Sequence, residues 1–206
     1  GIVEALQPLF ALNVTRLDPV AQLRIFSQHE SALQQADPSA NYPTILRRVH
    51  QAVAAESGLR TTPQLDAAFG DSVADWPAFE DSHNALLRLA TRYRLVILSN
   101  IDDQSFAASA RQLGVTFDAV YSAQTIGSYK PDPANFEYLL RRESGYRVLH
   151  VAQSLYHDHA PAKAAGMDTV WIDRRPGEAG ATPPAPEATY DMRFESMAEF
   201  ADAAGV

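Results

Sequence analysis

The chain has 206 residues, 46% of them apolar and 20% charged, with a formal net charge of −8. That length suits one globular domain, or a core domain with a small inserted lobe, and it can bury a sizeable core without staples. The absence of cysteine excludes disulfides and thiolate metal sites, the lack of a basic stripe argues against a nucleic-acid surface, and no apolar run reaches the roughly 18 residues of a membrane span. Gly1-Ile2-Val3-Glu4-Ala5-Leu6 lacks the basic start and small-residue cleavage site of a signal peptide, so a cytoplasmic protein is expected. A start at Gly1 in place of Met is read as an upstream segment lost or left out, or as a tag remnant. Net acidity does not exclude a small anionic substrate, because local charge in a pocket can oppose the global sign.

The first third reads as helices. Ile2, Leu6, Leu9 and Phe10 recur at helical spacing. Asp18-Pro19 is a cap followed by a proline and opens a helix from Val20 to Gln35 with Leu23, Ile25 and Phe26 as its apolar set. Asp37-Pro38 breaks the chain, Tyr42 to Ser57 is amphipathic and stops at Gly58, and Thr61-Thr62-Pro63 caps a short helix to Phe69. No strand pattern precedes Arg94.

Beyond that point the period changes. Trp76-Pro77 is expected to open a helix to Tyr93, and 95–98 is an unbroken apolar run, as in a strand buried on both faces. Strands are likewise expected at 119–122, 148–152 and 169–172, and a last one at 190–194. Helices are expected at 103–113, 133–142 and 160–165, with a final one from Ser196 to Ala204. Pro176 to Pro186 reads as a loop. Strands alternating with helices give an α/β fold with one doubly wound parallel sheet. The helical part, 1–75, then reads as a cap and 76–206 as the α/β core.

Parallel sheets bind ligands at the carboxyl ends of their strands, so the residues just past each strand are the candidates. Ser99 and Asn100 offer a hydroxyl and an amide to a carboxylate or phosphate, and could equally cap a helix. Lys130 sits between Tyr129 and Pro131, with Pro133 following. The prolines fix the loop, and a lysine held there can neutralise a carboxylate nucleophile or an anionic substrate. Among the 17 basic residues only Lys130 and Lys163 are lysines, which favours a specific need for an ammonium. Asp158, past the third strand, could orient Lys130, hold a water or cap the next helix. His157 and His159 flank it, but adjacent helical side chains diverge, so no shared metal site is expected.

Leu98-Ser99-Asn100, Tyr129-Lys130-Pro131, the run from Val151 to Asp158 and the run from Ala165 to Ile172 together resemble the second, third and fourth motifs of the haloacid dehalogenase superfamily. The chain is most similar to the 2-haloacid dehalogenase branch, whose Rossmannoid core carries a helical cap. The family's first motif, a strand ending in the nucleophilic aspartate, has no counterpart in the sequence. Gly1 to Leu6 resembles the start of the helix that follows it. The resemblance implies a hydrolase that removes halide from a short 2-haloacid through an aspartyl ester, given an upstream aspartate. It implies catalytic roles for Lys130, Asp158 and Ser154, and substrate binding by Ser99, Asn100 and, on a cap helix, Arg24. Phosphatases of the superfamily have Gly-Asp where this chain has Ala152-Gln153, and Gln153 cannot give Mg²⁺ an anionic oxygen. Neither metal nor other cofactor is therefore expected. The branch often has Asn near the position of Leu155. A related phosphatase, and a divergent member with the fold but other chemistry, are the alternatives. The expected partner is a small anionic substrate, without nucleic acid or membrane, with a homodimer left open.

Overall fold

The computed structural model describes residues 1–174, 181–185 and 187–206. Of the loop expected from Pro176 to Pro186, residues 176–180 and 186 lie outside the described residues. Four helices come first: α1 (Ile2–Leu12), α2 (Pro19–Ala36), α3 (Tyr42–Glu56) and α4 (Pro63–Asp71). The last three start on caps written in the sequence. Asp18, Asn41 and Thr62 accept the N–H of Ala21, Thr44 and Leu65, each with a proline in the first turn. Such a cap satisfies a donor that the helix itself leaves orphaned. The apolar faces close on one core that includes Leu6, Leu9, Phe26, Ile45, Leu46 and Phe69. The same core takes in Ile101, Phe106, Ala123 and Tyr129 from beyond residue 76, so it extends under the loops that carry the candidate site.

Trp76-Pro77 does not open a helix. A short 3₁₀ turn at Ser72–Asp75 ends on Trp76, whose backbone is extended, and the next helix, α5, is Ser82–Leu89. Proline disfavours helical geometry in the residue before it. Asp81 then anchors the chain, accepting Arg174 Nη1 at 2.7 Å and the backbone N–H of Met197 at 2.8 Å.

The strands are β1 (Val96–Ser99), β2 (Ala119–Ser122), β3 (Leu149–Ala152), β4 (Asp168–Ile172) and β5 (Met192–Phe194). Between and after them run α6 (Asp103–Leu113), α7 (Ala123–Ile126), α8 (Pro133–Arg142), α9 (Ala160–Ala164) and α10 (Met197–Ala203). Every pairing is parallel, so the α/β, doubly wound class holds. Leu89 of α5 and Phe200 of α10 pack with Val170, Ile172, Leu95 and Val151. Phe136 and Leu139 of α8 and Ala162 of α9 pack with Tyr121, Val96, Leu98 and Val148.

The expectation of one continuous sheet needs correction. β1 pairs only with β2, while β3, β4 and β5 form a separate sheet in that order. Residues of β1, or just before it, and of β3, or just before it, enter both apolar clusters, so the two sheets share covering layers and their free edges lie between them. Among the described residues no strand joins β1 to β3. Leu95 O accepts Asp118 N at 2.8 Å on the β2 side. Backbone groups alternate along a strand, so the Leu98 carbonyl points the other way, to the free edge.

Candidate active site

The two free edges end at the same place, and the candidate residues gather there. Lys130 arrives from the loop after α7. Pro131 follows it, through a cis peptide, and Asp132 caps α8 by accepting Ala134 N. Asn100 secures the loop against the end of β1. Its Oδ1 accepts Lys130 N at 2.6 Å, and its Nδ2 donates to Lys130 O at 2.8 Å and to Gln34 Oε1 of α2 at 3.2 Å. Both amide hydrogens are thereby engaged. Asn100 thereby holds the backbone of Lys130 on both sides.

The Lys130 side chain is buried, 8% exposed, and its ammonium donates to Leu98 O at 2.9 Å and to Asp158 Oδ1 at 2.6 Å. An ammonium has three protons, so one remains for a further anionic group. Asp158 reaches this point on an irregular turn, Leu155–His159, whose hydrogen bonds span five residues. Ser154 begins that turn. Its Oγ accepts His157 N at 2.9 Å and lies 3.3 Å from His157 Nδ1. Asp158 Oδ1 also meets His150 Nε2 at 2.9 Å.

Burial by itself would push the pKa of Asp158 up. The Lys130 ammonium and the His150 hydrogen bond outweigh it and hold the carboxyl well below the ordinary carboxylate range. Asp158 is thus a carboxylate at neutral pH, and Lys130 has a full counter-charge. Burial pushes His157 down to about 4, partly offset by Asp158 and reinforced by Lys130, so its ring is neutral at pH 7. His159 is also pushed down, chiefly by burial, and lies 3.0 Å from Ala152 O through Nε2.

Ser99 ends β1 half-buried, and among the described residues its hydroxyl has no partner. Arg24 is exposed and donates to Gln28 of its own helix at 3.1 Å, without contact to the Lys130–Asp158 pair. Sequence reasoning missed His150, Gln34 and Gln35, the last donating to Tyr156 Oη at 2.9 Å across to the site loop. A signal for His150 was present: it is the polar residue in an otherwise apolar strand run. A divalent cation fits these residues poorly. Asp158 is the one carboxylate among the residues that meet here, an ammonium already occupies its Oδ1, and Gln153 is exposed with its carbonyl taken by Trp171 Nε1 at 2.9 Å. A cavity of about 360 Å³ opens between α2 and the lysine loop, lined by Gln34, Gln35, Tyr129, Lys130 and neighbouring prolines, and Asp158 is not among its lining residues.

Solved structures with the same fold include an L-2-haloacid dehalogenase from Xanthobacter autotrophicus with chloropropionic acid covalently bound (15% identity, TM-score 0.78, covering 100% of this chain and 93% of that one). Another dehalogenase, solved with an intermediate complex, shares 20% identity at TM-score 0.79, over 98% of this chain and 91% of its own. A HAD-hydrolase from Bacillus subtilis bound to magnesium shares 18% identity at TM-score 0.74, over 98% and 90% of the two chains. No curated protein matches the chain. The sequence pattern of haloacid dehalogenase-like hydrolases matches residues 16–166. That stretch carries the strand-end cluster and most of the fold, and the chain belongs to the haloacid dehalogenase-like hydrolase family.

Proposed function

We propose that the protein acts as a 2-haloacid dehalogenase, with residues 1–75 as the cap over an α/β core. The observation that carries this reading is the buried Lys130–Asp158 pair at the mouth of the interval between β1 and β3, at 2.6 Å. The interval suits one further parallel strand ending in an aspartate. The carboxylate oxygen of that aspartate attacks C2 of the haloacid, the carbon–halogen bond breaks, and halide leaves. Water then adds to the acyl carbon of the ester, releasing the 2-hydroxyacid and regenerating the carboxylate.

In this scheme the free proton of the Lys130 ammonium neutralises the nucleophile. Ser99 binds the substrate carboxylate, Asn100 and Gln34 keep the lysine loop in register, and Asp158 fixes the ammonium. Ser154 shapes the turn that delivers Asp158. Arg24 enters only if the cap moves toward the core. The soluble chemistry of a short acid fits a cytoplasmic enzyme, and among the described residues no helix is long and apolar enough to cross a membrane.

The test is halide release from the two enantiomers of 2-chloropropionate by the polypeptide that includes the nucleophile strand. Release above the spontaneous rate, lost in Lys130→Met, is expected. Magnesium-dependent hydrolysis of a phosphate ester without halide release would overturn the reading in favour of the phosphatase alternative.

A further inference from the structure

Within the same site, one buried group has no role in the scheme above. His150 lies in β3 opposite Thr169 of β4, is 8% exposed, and packs its ring edge-on to Phe136 of α8 at 5.5 Å. An apolar strand interior is an expensive place for an imidazole unless its polar atoms are satisfied. Here the satisfaction is specific: Nε2 is 2.9 Å from Asp158 Oδ1. Asp158 is ionised and so can only accept, which makes Nε2 the protonated ring nitrogen.

The same oxygen takes the Lys130 ammonium at 2.6 Å. Among the described residues no hydrogen bond reaches the other carboxylate oxygen, Oδ2. Two donors, one from the loop before α8 and one from β3, thus grip one oxygen. That fixes the torsion of the carboxylate, leaves Oδ2 open on the site, and sets the direction in which the remaining Lys130 proton points.

We propose that His150 is a positioning residue, which acts through Asp158 to orient the Lys130 ammonium and to keep Oδ2 ionised and free. The imidazole itself touches neither substrate nor reacting atoms. This role rests on the Lys130–Asp158 site being the reaction centre, but its physical core, the grip on Asp158, is measurable without substrate.

Three proteins separate positioning from packing: the parent, His150→Phe and His150→Gln. Phe keeps the ring against Phe136 and removes the donor, whereas Gln restores a donor of similar reach. The carboxyl carbon of Asp158 is followed by NMR during acid titration of the present chain. A rise in its midpoint of about one unit or more, a tenfold change in proton affinity, is expected in His150→Phe, with recovery toward the parent in His150→Gln. An unchanged midpoint in a folded His150→Phe overturns the proposal. If the Phe variant does not fold, ring-nitrogen spectra of the unaltered protein decide: His150 protonated at Nε2 supports the grip, and protonation at Nδ1 alone overturns it. In turnover, His150→Phe should lower kcat about tenfold or more with KM little changed, and His150→Gln should recover it. A shifted midpoint in an enzyme that releases no halide would sink the dehalogenase reading and leave the grip standing.

Discussion

Asn100 and Lys130 are joined twice through the backbone of the lysine, since the Asn100 amide accepts Lys130 N–H at 2.6 Å and donates to Lys130 O at 2.8 Å. The pair ties the end of β1 to the loop before α8, with Gln34 of α2 as a third point. The site is therefore assembled from backbone as much as from side chains. Asn100→Ala leaves a backbone donor and acceptor of Lys130 without partners. Each stranded buried group costs about 1–3 kcal/mol, so a loss of roughly 2 kcal/mol or more in denaturant unfolding is expected, along with reduced turnover. Asn100→Asp, which keeps the acceptor and loses the donor, should fall between Ala and the parent. Equal stability of the Ala variant and the parent would mean that the loop holds itself.

Lys130→Met tests the burial of this ammonium. A surface lysine would be removed at almost no cost, but this ammonium is buried and paired with Asp158. Removing one partner of a buried pair strands the other charge and typically costs about 3–5 kcal/mol. His150 remains on Asp158, so the loss should lie toward the low end. Lys130→Met should lower stability at pH 7, and adding Asp158→Asn should restore part of it. Independent, additive losses in the double variant would show that the pair is not coupled.

What the sequence could and could not disclose follows from range. β2 and α8 were legible to the residue, and β1, β3 and β4 to within one residue at either end, because apolar runs and proline or glycine stops are local signals. That Lys130 meets Asp158 is legible because parallel strands bring their ends to one edge. Within the helix expected from Trp76 to Tyr93 only Ser82–Leu89 is helical, because Trp76, before Pro77, stays extended and Asp81 is committed to Arg174 and α10, contacts 93 and 116 residues distant in sequence. The double bond from Asn100 to Lys130 and the His150 grip depend on where a loop lands, and no spacing rule carries that.

Stability against pH should reveal two opposed buried groups. Glu30 is pushed up from 4.5 to about 7 by burial, against the hydrogen bond from Tyr42 at 2.5 Å. Its folded-state pKa is raised, so its contribution is fully present below about 4.5 and is lost as pH rises through about 7. His157 is pushed down from 6.5 to about 4, so its contribution is present above about 6.5 and lost as pH falls through about 4. Each shift corresponds to about 3 kcal/mol. Between pH 4.5 and 6.5 the two slopes oppose each other. Relative to the parent, the pH slope of the unfolding free energy should become more positive in Glu30→Gln and more negative in His157→Gln. Parallel curves for all three proteins would show that neither group titrates as its burial demands.

Leu95 O faces β2, so alternation sends the backbone groups of Ile97 and Ser99 to β2 and those of Val96 and Leu98 to the free edge. The Leu98 carbonyl is capped by Lys130 Nζ at 2.9 Å, which leaves the two edge amides as the exposed donors of β1. In the present chain, hydrogen exchange should be slow at Ile97 and Ser99 and faster at Val96 and Leu98. A parallel strand seated between β1 and β3 would pair both edge amides. Supplying the strand of the proposed scheme should then slow Val96 and Leu98 by about a hundredfold or more, a gain of roughly 3 kcal/mol in local opening free energy, while Ile97 changes little beyond any rise in global stability. The same addition should pull the Lys130 ammonium toward the incoming carboxylate and bring halide release with it. Uniform slow exchange along β1 without the added strand would mean that the free edge is already paired, and the place assigned to the nucleophile would be lost.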